Sequence, residues 1–124
     1  MNKKYKYLFD KQSGILYKTY FGEITLYDIT SSWDRAIQNN IIPNETKGFI
    51  LDYREAFFRI KTNETSGIAE YYRNNLKVFN NMRIAIITES HKDIIVPILV
   101  KEEDFNYSSR PFSTIEAAVS WIVN

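Results

Sequence analysis

A chain of 124 residues can close one hydrophobic core, and with 44% hydrophobic, 15% aromatic and 25% charged residues it carries enough apolar surface to offset chain entropy. Sixteen Lys and Arg against fifteen Asp and Glu exclude the strongly positive field on which general nucleic-acid binding draws. The lack of cysteine excludes disulfides, thiolate catalysis and Cys-ligated zinc or iron–sulfur centres, and it suits the reducing cytoplasm, which is the expected location.

The basic start Met1-Asn2-Lys3-Lys4-Tyr5-Lys6-Tyr7 meets Asp10 and Lys11 before any apolar stretch, so it does not read as a secretion signal. Tyr5, Tyr7 and Phe9, then Ile15, Tyr17, Thr19 and Phe21, recur at the period of two that marks strands. Asp10 to Gly14 joins them, predicting an antiparallel hairpin that Gly22 ends. Thr25 followed by Asp28 reads as a helix start with its acidic first turn. Ile29, Trp33, Ala36 and Ile37 continue at helical spacing, and Asn39-Asn40 and Pro43 end the helix.

Gly48-Phe49-Ile50-Leu51-Asp52 and Arg83 to Thr88 are short apolar runs, as inner strands covered on both faces require. Between them Ile68, Tyr71, Tyr72, Leu76 and Phe79 predict a crossover helix capped by Thr62 or Thr65, giving a right-handed β-α-β unit. The next segment, opened by Ser90 and Asp93, contains Ile94 to Val100, far short of the roughly twenty residues that span a bilayer. Pro97 inside it predicts a helix that ends early, with a short strand as the alternative. Ser113 and Glu116 form the capping-box pattern of a last helix whose stripe is Ile115, Ala118, Val119 and Ile122, flanked by Trp121. The expectation is a single α/β domain over 1–124: an N-terminal antiparallel hairpin joined to a mixed, mainly parallel sheet with about four packed helices.

This element order, with the inner strand Gly48-Phe49-Ile50-Leu51-Asp52 and the tail Phe112-Ser113-Thr114-Ile115-Glu116-Ala117-Ala118-Val119-Ser120-Trp121-Ile122, resembles the anti-sigma-factor-antagonist (STAS-like) superfamily, in its uncharacterised bacterial branch. The resemblance covers nearly the whole chain. It implies a non-enzymatic regulatory or protein-interaction module with a protein partner. In the best-known members a Ser or Thr at the N-terminus of the helix after the inner strand is phosphorylated, which controls partner binding. Glu64-Thr65-Ser66-Gly67-Ile68 is similar to that motif and would place Thr65 as acceptor with Ser66 beside it. Glu64 stands where the family has Asp, and the connection from Tyr53 to Glu64 is longer than in regulatory members. The plain alternative is that Thr65 and Ser66 only start a helix.

Arg54, Phe57, Phe58 and Arg59 read as a loop after the third strand, at the strand end where open α/β sheets place ligand crevices. They make small-molecule or lipid binding the second reading, against Phe57 tucking beneath the loop as satellite core. His91, the one histidine, lies near Glu89 and Asp93, too few ligands for a metal centre. Ser13, Ser32, Ser66 and Ser90 lack a nucleophile-elbow context, and the four glycines are scattered, so neither a triad nor a phosphate cradle is expected. Asp10, Asp28 and Asp52 are explained separately as hairpin, cap and strand-end residues. No catalytic residue, metal or cofactor is expected. Tyr5, Tyr7, Tyr17, Tyr20 and Tyr27 suggest an aromatic-rich sheet face and first helix, from which a homodimer is expected.

Overall fold

The computed structural model describes residues 3–124; Met1 and Asn2, which open the basic N-terminal stretch, lie outside the described residues. Strands β1 (Tyr5–Asp10) and β2 (Ile15–Ile24) form the antiparallel hairpin. Its turn is closed by Gly14 at φ +76° and by a hydrogen bond from Ser13 Oγ to Asp10 Oδ2 (2.6 Å). Helix α1 (Leu26–Gln38) starts on a reciprocal box: Thr25 Oγ1 accepts from the Asp28 amide (3.1 Å) while Asp28 Oδ2 accepts from the Thr25 amide (2.9 Å). It stops at Asn39 and Asn40, the latter in the left-handed region at φ 55°. There follow β3 (Gly48–Phe58), a 3₁₀ turn (Thr62–Glu64), α2 (Thr65–Asn74), α3 (Leu76–Phe79), β4 (Arg83–Ile87), α4 (Ile95–Lys101), β5 (Ser108–Phe112) and α5 (Ile115–Val123).

The strands lie in chain order, β1-β2-β3-β4-β5, antiparallel at the first pair and parallel thereafter, with Leu51 opposite Ile86 on adjacent central strands. When successive parallel strands always step in one direction and every crossover has the same hand, the connecting helices land on the same face. One core accordingly joins Trp33 of α1, Ala69 of α2, Phe79 of α3 and Val100 of α4 to the sheet residues Leu16, Phe49 and Ile84. Trp33 is fully buried, with Phe49 and Phe79 meeting it edge-on at 5.4 and 5.2 Å between ring centroids.

The opposite face carries α5 alone. Ala118 packs there against Ile50, Ala85 and Ile87, and half-buried Trp121 lies 5.5 Å from the Phe112 ring. Gly48 makes this approach close: a Cβ there would stand 2.6 Å from Ile122 Cγ2 and 2.9 Å from the Arg83 carbonyl. Beyond α5 the face over β1 and β2 is uncovered. It leaves a groove of about 420 Å³ lined by Leu8, Tyr17, Thr19, Asp52, Arg54 and Ile115.

Several boundaries differ from expectation for identifiable reasons. Gly22 does not end β2. At φ +75° it sits just past a bulge, where pairing passes from Thr19–Asp52 to Phe21–Glu55 and β3 carries the extra residue. Beyond that bulge β2 and β3 continue together to Ile24 and Phe58, so Arg54, Phe57 and Phe58 lie on a strand and not in a loop. The crossover helix breaks at Asn75 into α2 and α3. Pro97 is the third residue of α4, where its missing N–H has no helical acceptor to lose, so the helix begins later than Ser90. The last helix is capped by Thr114, whose hydroxyl accepts from the Ala117 amide (3.2 Å), rather than by Ser113. The tyrosines do not share a face: Tyr5, Tyr7 and Tyr20 point to the helix side and Tyr17 to the α5 side, while Tyr27 is 75% exposed on α1.

Lys18 is the least expected core member. It is 0% exposed, its Nζ is 3.9 Å from the Trp33 ring centroid and 4.8–5.4 Å from those of Tyr20, Tyr7 and Tyr5, and it donates to Ser32 Oγ at 2.5 Å. The rings offset part of the cost of burying an ammonium, yet one hydroxyl leaves its other protons unmatched. Burial therefore pushes the amine well below its ordinary value of 10.5.

Two predictions follow from this packing. Gly48→Ala lowers the denaturation midpoint by the equivalent of about 1–3 kcal/mol, because backbone and Ile122 both resist the added methyl; an unchanged midpoint in urea would exclude the close α5 contact. For Lys18, the unfolded chain holds a proton that the folded chain releases, so stability rises with pH between the lowered folded value and 10.5. The slope reaches at most about 1.4 kcal/mol per pH unit. Urea titrations between about pH 7 and pH 9.5 record this rise, and Lys18→Met flattens it; parallel pH profiles for the two proteins would show that the amine keeps its proton.

Candidate functional site

The residues singled out in the sequence fall at the end of the sheet where β3 outruns β4. β3 pairs with β4 only from Gly48 to Asp52, so its later backbone groups face no neighbouring strand on that side. Side chains take over. Asp52 Oδ1 accepts from the Arg54 amide (3.0 Å), and Asp93 Oδ1 accepts from the Phe58 amide (3.2 Å), the buried carboxylate crossing from the segment before α4. His91, two residues away, is exposed.

Arg54 folds back on Asp52 in a bidentate pair, Nε to Oδ1 at 3.0 Å and Nη2 to Oδ2 at 2.7 Å. Partial burial would raise the Asp52 carboxyl, but the Arg54 hydrogen bonds and charge outweigh it and hold the group below its usual range. Arg59 pairs with Glu23 of β2 at 2.7 Å on an exposed surface. Both guanidinium groups thus have carboxylate partners.

The two phenylalanines diverge, as neighbours on a strand must. Phe57 is 51% exposed, whereas Phe58 packs against Tyr53 with ring centroids 4.3 Å apart. Beside Phe58 lies a mainly apolar cavity of about 20 Å³, walled by Leu51, Ile68, Tyr72, Val96 and Val100 among others, with room for one water-sized body. Four strands stacked in chain order also contain no reversal of direction, the feature that opens a ligand crevice in doubly wound sheets.

At the start of α2 the neighbouring hydroxyls have opposite environments. Thr65 is 3% exposed and donates to the Thr62 carbonyl at 2.9 Å, closing the 3₁₀ turn. Ser66 faces solvent and donates to Glu103 Oε2 at 2.9 Å, and Arg73 Nη1 lies 3.7 Å from Glu103 Oε1. Glu103 follows α4, so a single carboxylate ties both ends of α2 to the segment after α4. Next to it Asp104 caps β5 by accepting from the Ser109 amide (2.7 Å) and hydroxyl (2.8 Å). Ile94, just before α4, and Ile95 and Ile98 on it remain exposed on the side away from the sheet. Sequence reasoning did not find Glu103, Arg73 or this isoleucine surface. The helical spacing of Ile94, Ile95 and Ile98 resembles a core stripe, and nothing local links residue 66 to residue 103.

Ser66→Ala, which removes the donor to Glu103, costs the fold under about 1 kcal/mol, as expected of an exposed polar contact. Thr65→Ala costs more, since the Thr62 carbonyl loses its buried donor; paired urea titrations measure the order, and the reverse order would contradict this assignment of environments.

No family model and no curated protein sequence matches this chain. Among solved structures it is similar to an uncharacterised DUF3478-family protein with a SpoIIAA-like fold from Shewanella loihica PV-4. The TM-score is 0.63 at 13% identity, covering 98% of each chain. It is also similar to the anti-sigma factor antagonist SpoIIAA in its unphosphorylated form, with a TM-score of 0.53 at 14% identity, covering 95% of this chain and 96% of that one. No helix among the described residues is long and apolar enough to cross a membrane. The five-stranded mixed sheet with its helices is the SpoIIAA-like, STAS-like α/β fold.

Proposed function

We propose that this chain is a non-enzymatic regulatory domain of the bacterial cytoplasm that binds a protein partner through the α2–α4 surface, with Ser66 as its phospho-acceptor. The observation that carries the reading is the contact of the exposed Ser66 hydroxyl with Glu103, adjoined by Arg73, on a helix pair whose outer side presents Ile94, Ile95 and Ile98. Thr65, the other hydroxyl of the motif, is the poorer acceptor because reaching it requires opening the turn at Thr62.

Phosphorylation of Ser66 replaces the donated proton with about 1.5 to 2 negative charges. The phosphate repels Glu103 and competes with it for Arg73, so the link between α2 and the end of α4 is rewritten. The positive end of the α2 dipole favours the new charge where it forms. An interface containing Ile95 and Ile98 then gains or loses a charged neighbour, which changes partner affinity.

The test is quantitative co-purification from the native host with four forms of the chain: unchanged, Ser66→Ala, Ser66→Asp and Ile98→Arg. A partner retained by the unchanged and Ser66→Ala forms, and reduced at least about tenfold by Ser66→Asp and Ile98→Arg, is the expected outcome. Identical protein profiles for all four would overturn the reading. Phosphate on Ser66 in the host-derived protein, located by mass spectrometry, supports the switch; its absence under every growth condition in which the partner is exchanged counts against it.

A further inference from the structure

The two edges of the sheet are finished differently, and the difference points to a second copy of the chain. Edge strands expose a row of unpaired N–H and C=O groups that a folded protein ordinarily blocks. On β5 every outward amide is blocked, and one of the outward carbonyls. Phe112 turns toward β4, its carbonyl accepting from Thr88, so Ser109 and Pro111 are the outward residues. The Ser109 amide is taken by Asp104 (2.7 Å), the Ser109 carbonyl by Lys101 Nζ (3.2 Å), and Pro111 has no N–H to offer.

β1 has none of these devices. The Phe21 amide donates to the Lys4 carbonyl at 2.7 Å, which fixes the alternation: Lys6 and Leu8 also turn their backbone groups toward β2, while Tyr5, Tyr7 and Phe9 turn theirs outward. Among the described residues no protein group meets those outward amides and carbonyls. The edge is six residues long, contains no proline, and presents Leu8 at 69% exposure.

We propose that β1 pairs antiparallel with β1 of a second copy across a two-fold axis at Leu8, joining two sheets into one. In that register Tyr7 and the partner's Phe9, and Phe9 and the partner's Tyr7, exchange both backbone hydrogen bonds. Leu8 meets Leu8 at a non-hydrogen-bonded position, where side chains approach most closely, and Lys6 stands opposite the partner's Asp10 on both sides of the axis. Lys6 and Asp10 suit this role because neither has an oppositely charged partner among the described residues: Lys6 Nζ lies 5.6 Å from the Phe21 ring, and the Asp10 carboxylate is met by the uncharged Ser13 hydroxyl of its own turn. The neighbouring register, centred on Tyr7, would place Lys4 opposite Asp10, but Lys4 is already held by Asp28 at 3.0 Å. A two-fold axis makes the contact self-complementary and closed, so it ends at a dimer and does not grow into a fibre. This surface lies at the opposite edge of the sheet from α4, and the inference stands apart from the proposed function.

Sedimentation of the full chain over a range of concentrations tests it. The unchanged chain sediments as a dimer, and Lys6→Glu and Asp10→Lys are each monomeric because each brings like charges together across the axis. An equimolar mixture of the two variants recovers the dimer, since both crossing pairs are then opposite in sign. In a second measurement Leu8→Cys, on a chain with no other cysteine, forms an intermolecular disulfide under mild oxidation, and adding Lys6→Glu to the same chain suppresses it. This arm stands even if Asp10→Lys disturbs the hairpin. A monomer at every concentration overturns the proposal, as does a dimer that survives both charge reversals or a Leu8→Cys chain that never cross-links.

Discussion

Parallel strands laid down in chain order leave one place for the helices that connect them. With each crossover turning the same way, α1, α2, α3 and α4 all settle on one face of the sheet, and only the chain after β5 can reach the other. The molecule is therefore thick on one side and thin on the other. Its large core, centred on Trp33 between Phe49 and Phe79, lies wholly on the thick side. The short α5 covers the strands that need it most, β3 and β4, and Gly48 sets how closely it sits.

This arrangement explains why the candidate site is a surface and not a cleft. A ligand crevice in an α/β sheet opens where helices part to opposite faces, and here they do not part at the strand ends. What the strand ends offer instead is a set of carboxylates that finish backbone left without a neighbour: Asp52 at the bulge, Asp93 on Phe58, Asp104 on Ser109. Asp52 also engages Arg54 in an ion pair, and Glu23 of β2 engages Arg59. Exposed groups suited to recognition are then the hydroxyl of Ser66 and the isoleucines of α4.

Much of this architecture was legible in the residues themselves. Thr25 with Asp28, Asn39 with Asn40, and the apolar runs at 49–51 and 84–87 act locally, through caps and periodicity, and the elements fall where those signals stand. Legibility failed where the deciding partner was distant. Arg54 to Phe58 reads as a loop because its charges break the apolar run, yet pairing with β2 past the bulge makes it strand. Lys18 carries no local signal of burial, and the arrival of α1 with Trp33 and Ser32 encloses it. The Ser66–Glu103 contact spans 37 positions and has no local signature.

The one-sided covering of the sheet is the claim on which the core, the site and the open edge all rest. Since the chain has no cysteine, single substitutions on the two rows of β2 report it directly: Thr19→Cys on the α5 side and Leu16→Cys on the helix side. Under native conditions a thiol-reactive dye should label Thr19→Cys readily, and label Leu16→Cys only as fast as the protein unfolds. Protection of Thr19→Cys, or open reactivity of Leu16→Cys in a folded chain, would contradict it.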